Sequence, residues 1–167
     1  VKIAYEECET GYATDKGVEC YERLKGKTNT LFDPQSTGIT FALTDKAPGD
    51  KLPLITSGYG RADTVDGMAF KWNFPLMGSY WTGADIILQH IAKKEGGWDK
   101  LKGKKITLVY HDSPFGKEPI PLVTERSKMH GFELQLIPVT APGVEQQAAW
   151  LQVRQSRPYY AMPWGWG

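Results

Sequence analysis

The side chains able to do acid–base chemistry near neutrality are few: the chain holds three histidines, His90, His111 and His130. His111 is followed directly by Asp112, a pairing that would serve as a general acid and base if both faced one substrate. It also closes the run Lys105-Ile106-Thr107-Leu108-Val109-Tyr110, where an open parallel sheet places its ligands. Polar loop residues beside a helix N-terminus are the commoner explanation of His111-Asp112. His90 lies among Gln89, Lys93 and Lys94 on a solvated helix face, and His130 before Gly131 suits a helix C-terminus, where a cation complements the dipole. No GxSxG elbow, GxxxxGK[ST] phosphate loop or HExxH motif is present. Gly58-Tyr59-Gly60 follows a strand as a dinucleotide loop would, yet it runs into Arg61-Ala62-Asp63 without the third glycine. No nucleophile, base and orienting group can be assembled, and neither a cofactor nor a metal site is expected.

What does recur is a type of residue at strand C-termini. Gln35, Ser36 and Thr37 follow one predicted strand, and Ser57, Gly58 and Tyr59 follow the next. Tyr80 and Trp81 open a long helix, Phe115 opens another, and Trp164 and Trp166 end the chain. Hydroxyls and backbone N–H groups at helix starts suit a carboxylate, while aromatic walls suit an apolar or planar body. Each aromatic taken alone is equally a core residue. As a set they describe a place to bind rather than a place to react.

The elements that must position these residues alternate. Residues 1–5 read as a strand, residues 14–24 as a helix with Thr14 as cap and Val18, Tyr21 and Leu24 on one face, and residues 30–32 as a short strand. Ser36 or Thr37 caps a second helix carrying Ile39, Phe41, Ala42 and Leu43, and residues 52–56 form another strand. After a polar loop and the aromatic segment 70–76, Ser79 starts a helix with Ala84, Ile87, Leu88 and Ile91 inward. Strands at 105–110, 132–139 and 159–162 then alternate with helices, although Pro163 argues against a strand within a ladder. This order predicts parallel α/β units in two blocks, 1–76 and 77–167.

Cys8 and Cys20 are the two cysteines, and their spacing fits no zinc site. A disulfide and a pair of buried thiols both remain open readings; a bridge would imply an oxidising compartment. The 167 residues are 41% hydrophobic and 23% charged, which supports a packed core. A net charge of +1 argues against nucleic-acid binding, and no apolar run is long enough to insert in a membrane. The sequence lacks an initiator Met and reads as a processed or truncated piece of a longer protein.

The order of these motifs resembles the type I solute-binding proteins of ABC importers, in the branched-chain amino acid branch, with an aromatic-ligand leaning. The residues carrying the likeness are Tyr5-Glu6-Glu7-Cys8 with Cys20 in the next helix, Ser36-Thr37, and Pro53-Leu54-Ile55-Thr56-Ser57-Gly58-Tyr59. With them go His111-Asp112-Ser113-Pro114-Phe115-Gly116, Gln146-Gln147 and the closing Gly165-Trp166-Gly167. The resemblance implies two Rossmann-like α/β lobes with parallel sheets, incomplete at both ends, and a ligand held between them. Ser36 and Ser57-Gly58-Tyr59 would hold a carboxylate, with Arg61 as a further anchor; Phe115 and Trp166 would line the second lobe, within reach of Tyr80 and Trp81. It further implies a periplasmic location, an ABC permease as partner and no catalysis. A sensory domain of the same fold is the alternative, and a hydrolase or transferase using His111-Asp112 a more distant one.

Overall fold

The computed structural model describes residues 2–27 and 30–166. The chain divides into two compact units, Val1–Ser79 and Tyr80–Gly167.

Unit 1 is built from helices α1 (Thr14–Leu24), α2 (Thr37–Thr44) and the single turn α3 (Ala47–Asp50), with strands β1 (Leu54–Thr56) and β2 (Asn73–Pro75). Thr14 is the first helical residue rather than the cap; Ala13 holds the cap position and offers no side-chain bond. Ser36 caps α2, its hydroxyl accepting from the Ile39 N–H at 3.4 Å. The two helices approach so closely that a Cβ on Gly17 would stand 2.5 Å from Ile39, so only glycine fits the crossing. Tyr21, Ile39, Leu43, Ala47, Leu52 and Leu54 form the core, and Val18 stands at its margin. The fully buried Tyr21 keeps its hydroxyl satisfied by donating to Asp50 at 2.9 Å. Burial first, then Asp50, raises its pKa beyond the ordinary tyrosine range.

β1 and β2 pair in parallel, Leu54 opposite Asn73, and Phe32 adds a single bridge to Leu54 where residues 30–32 read as a strand. The expected opening strand is not formed: Lys2–Tyr5 run as exposed coil, and Val1 lies outside the described residues. Alternation offered them a strand's pattern but supplied no partner edge. Cys8 is instead tied to Cys20 on α1 by a disulfide, with Cα atoms 5.8 Å apart.

Unit 2 contains α4 (Tyr80–Glu95), β3 (Lys105–His111), the short α5 (Pro114–Lys117), α6 (Ile120–His130), β4 (Glu133–Val139), α7 (Gln147–Ser156) and β5 (Tyr160–Trp164). The strands lie in the order β4-β3-β5, all parallel, with Lys105 opposite Glu133 and Ile106 opposite Tyr160. Central β3 is covered on both faces, which explains why Thr107 alone interrupts the apolar run Ile106 to Val109. Ile106 and Leu108 pack with Ala84, Leu88, Ile91, Ala92 and Val123 of α4 and α6. Val109 packs on the other side with Ile137, Val139 and Ala149. Ile87, expected inward, is 38% exposed; the helix turns Ala92 to the core instead, completing an i, i+4, i+7, i+8 stripe from Ala84. The last strand runs two residues past the expected end, through Pro163 to Trp164. β5 is an edge of the sheet among the described residues, where a missing N–H is tolerated.

Candidate functional site

In unit 1 the polar residues after β1 and before α2 gather on a single turn. Tyr59 donates its hydroxyl to Asp33 Oδ1, and Gln35 Nε2 donates to Asp33 Oδ2. The Gln35 backbone N–H in turn donates to the Tyr59 oxygen at 3.0 Å. This clasp holds Gln35 at φ 51°, a left-handed conformation that a non-glycine residue adopts only under constraint. Asp33 was not singled out from the sequence; its position before Pro34, at a turn, was the available signal. Ser36 and Thr37 are buried and engaged locally, Ser36 as the α2 cap and Thr37 Oγ1 accepting from Gly60 N–H at 3.3 Å. Ser57 is exposed, and Gly58 sits at φ 120° with the Gly78 carbonyl 3.3 Å from where a Cβ would project.

Arg61 stands apart from that clasp. Its guanidinium forks onto Asp63 at 3.0 and 2.8 Å, and its faces lie 4.8 and 4.7 Å from the rings of Phe41 and Phe70. An arginine held by a carboxylate and two rings acts as a strut for the loop. The fork expected for a ligand carboxylate is thus engaged by Asp63.

In unit 2, β3 ends in a tight turn. A Cβ on Gly116 would overlap the His111 carbonyl oxygen, so the motif requires glycine there. Ser113 caps α5 by accepting from Gly116 N–H at 3.3 Å, and Asp112 pairs with Lys117 at 2.7 Å. That hydrogen bond holds the Lys117 ammonium above the usual lysine range. Asp112 and His111 are therefore engaged with different partners: His111 Nδ1 lies 2.8 Å from Ser113 Oγ.

His111 is 5% exposed, not the loop residue its neighbours suggested, and its Nε2 is buried with no hydrogen-bond partner among the described residues. Leaving a buried polar atom unsatisfied costs about 1–3 kcal/mol. Four rings form a chain leading from it. Trp166 stacks on the imidazole at 4.3 Å, Phe115 meets Trp166 at 4.6 Å, and Phe115 faces Trp164 at 6.1 Å and 22°. Tyr80 stands edge-on to both Phe115 and Trp164, at 5.1 and 5.8 Å. Trp164 Nε1 is also buried without a partner among the described residues. Gly143, unnoticed in the sequence, packs beside both residues: a Cβ there would stand 3.1 Å from the Trp166 carbonyl oxygen and 3.4 Å from His111 Cδ2. Trp81 lies outside this group, its indole N–H donating to the Glu118 carbonyl at 2.9 Å. His90 is exposed, and His130 stacks on Trp98 at 3.9 Å. No cluster of His, Cys, Asp or Glu among the described residues could hold a metal ion, and none of their helices is long and apolar enough to cross a membrane.

Both sets of residues lie where parallel strands end, the position at which α/β sheets bind ligands. No curated protein sequence matches the chain. Among solved structures it is similar to an ABC transporter permease from the Pseudomonas fluorescens group, with 42% identity and a TM-score of 0.83 over 100% of this chain and 41% of that one. A branched-chain amino acid ABC transporter from Thermus thermophilus with bound valine shares 20% identity and a TM-score of 0.76, over 92% and 39%. A solute-binding protein from R. palustris in complex with benzoate shares 17% and 0.75, over 96% and 43%. The chain thus has the type I fold of these proteins and spans about two-fifths of their length. The family profile described as periplasmic binding protein matches residues 1–167, and the chain belongs to that family.

Proposed function

We propose that the chain is part of an extracytoplasmic solute-binding protein that captures a small carboxylate-bearing solute, an amino acid or an aromatic acid, for an ABC permease. It performs no chemistry on that solute. The observation carrying this reading is the collection of engaged hydroxyls in unit 1 and rings in unit 2 at the C-terminal ends of parallel strands, in a chain of this family. The proteins of similar fold include ones named for fatty acid transport and ones holding valine, benzoate or 3,4-dihydroxybenzoic acid, all carrying a carboxyl group. The Cys8–Cys20 disulfide fits an oxidising compartment outside the cytoplasm. The separate engagements of His111 and Asp112 favour binding over acid–base catalysis. Ser36, Ser57, Gly58 and Tyr59 are the solute contacts proposed in unit 1, and Tyr80, Phe115, Trp164 and Trp166 those proposed in unit 2.

The test is a thermal-shift screen of the full-length protein against branched-chain amino acids, fatty acids, benzoates, cinnamates and short amides. A ligand at about 100 times its Kd adds about 2.7 kcal/mol of apparent stability, a shift of several degrees. A folded protein that responds to no member of the panel overturns the proposal.

A further inference from the structure

The cations of the chain are unevenly divided. Unit 1 holds nine Lys and Arg against eleven Asp and Glu, whereas unit 2 holds eleven against eight. Within unit 2 the lysines gather at the end where the parallel strands begin, away from the rings at their C-terminal ends. Lys93 and Lys94 lie in the last turn of α4, Lys100 on the short 3-10 turn Trp98–Leu101, Lys102 just after it, and Lys128 in the last turn of α6. Contacts within the unit bring these segments together. The Gly103 N–H donates to the Gly131 carbonyl at 2.8 Å, a Cβ on Gly131 would stand 3.3 Å from Lys102 Cγ, and Trp98 stacks on His130 at 3.9 Å. All five lysines are exposed. The carboxylates nearby are mostly engaged: Asp99 pairs with Lys100 at 3.2 Å, Glu133 with Lys105 at 3.4 Å, and Glu95 with Lys104, which leaves Glu125 one turn before Lys128. Lys93, Lys94, Lys102 and Lys128 have no ion pair among the described residues. Met129 stands beside them, 61% exposed. We propose that this end of unit 2 docks on an anionic phospholipid surface, its four unpaired lysines meeting headgroup phosphates and Met129 entering the headgroup layer.

The inference goes beyond solute capture and does not rest on it, because none of these residues is among the proposed solute contacts. Helix C-termini favour cations, which accounts for Lys93, Lys94 and Lys128. It does not account for Lys102, which follows only a single 3-10 turn, nor for a methionine left in water among them. Lysines are flexible, strongly hydrated point charges without the planar fork that registers on a carboxylate. They suit a diffuse array of headgroups better than the fixed acidic face of a protein. Met129 points the same way, since an apolar chain among cations gains from an interface that is charged outside and apolar within. The end that would dock carries no residue of the ring cluster, so membrane contact there leaves the C-terminal ends of the strands uncovered.

The experiment is co-sedimentation of the full-length protein with vesicles of phosphatidylcholine alone and of phosphatidylcholine mixed equally with phosphatidylglycerol. Binding is expected to the mixed vesicles at low ionic strength, to be much weaker on phosphatidylcholine, and to be lost in about 1 M salt, where screening acts within about 3 Å. A lysine at an anionic surface contributes about fivefold in affinity, so the double variant Lys102→Glu, Lys128→Glu is expected to bind the mixed vesicles at least tenfold more weakly. The double variant Lys16→Glu, Lys71→Glu makes the same change in net charge on exposed positions of unit 1 and is expected to bind as the parent does. Should the first variant fail to fold, Lys93→Gln with Lys94→Gln reads the same face and is expected to weaken binding by about tenfold. Equal binding to both kinds of vesicle, or an equal loss in the variants of the two units, overturns the proposal. Capture by immobilised polyaspartate without binding to the mixed vesicles assigns the lysines to an acidic protein partner and overturns it as well.

Discussion

In unit 1, Asp33, Gln35, Ser36 and Thr37 at the start of α2 and Tyr59 after β1 hold one another or the backbone, so that each polar group has been assigned work within the fold. After β3 and β5 in unit 2, rings fill the equivalent place, and two buried ring nitrogens, His111 Nε2 and Trp164 Nε1, have no hydrogen-bond partner among the described residues. The first arrangement is paid for internally, so a solute must exchange hydrogen bonds there and gains little from each. The second gains outright from a group that bonds to those nitrogens. Discrimination between solutes should therefore reside in unit 2, while unit 1 sets the shape of its turn whatever is bound.

The sharpest way to break the comparison is at Gly116. Its replacement by alanine drives a Cβ into the His111 carbonyl, and the β3–α5 turn must move. A loss of about 3 kcal/mol is expected in denaturant unfolding; an unperturbed midpoint would show that the imidazole is not held by this turn. Next comes the disulfide. It closes a separation of 12 residues, so the double variant Cys8→Ser, Cys20→Ser should lose about 2–3 kcal/mol. The loss belongs to unit 1, and hydrogen exchange should place it in α1 and its neighbours, with β3 amides unaffected; protection lost equally in β3 counts against this.

Smaller effects refine the picture. Tyr21→Phe removes the bond to Asp50 yet leaves Asp50 its ion pair with Lys25 at 3.1 Å. About 1 kcal/mol is expected, read from the melting midpoint, and a neutral result would mean that water serves Asp50 as well. In unit 2, Arg126 beside Asp85 holds its carboxyl below the usual aspartate range. A depressed folded pKa contributes stability above the unfolded value near 4, and that stability is lost as pH falls through the folded one. Asp85→Asn should therefore flatten the acid limb below about pH 4 by no more than about 1 kcal/mol, because the pair is partly solvated. A parent protein whose stability is already flat between pH 5 and 2 would contradict it.

The sequence made the large elements of unit 2 legible because burial on both faces leaves a strand apolar but for Thr107, and Ile106 to Val109 could hardly be anything else. Residues 2–5 show the limit of the same reasoning. Their alternation describes a face, but a strand also needs a neighbour, and neighbours are set by the whole fold. Pro163 misled in the opposite direction, since its cost depends on whether β5 is central or at an edge. The candidate site was legible as a collection of residue types and much less as a set of duties. Arg61 read as an anchor for a ligand carboxylate because Asp63, Phe41 and Phe70, the last two 29 residues apart in sequence, meet around it only after folding. His111 read as a loop polar group because nothing in His111-Asp112-Ser113 reveals that the imidazole turns inward beneath Trp166.

The bridge between Cys8 and Cys20 has a consequence for how damage to this protein would be seen. A protease cutting after exposed Lys16, which lies between the two cysteines, would sever the chain without releasing either piece. The nicked molecule would migrate and weigh almost as the intact one until a reductant was added. Cleavage there is invisible to size alone, and the chain can lose its continuity while keeping its N-terminal segment moored.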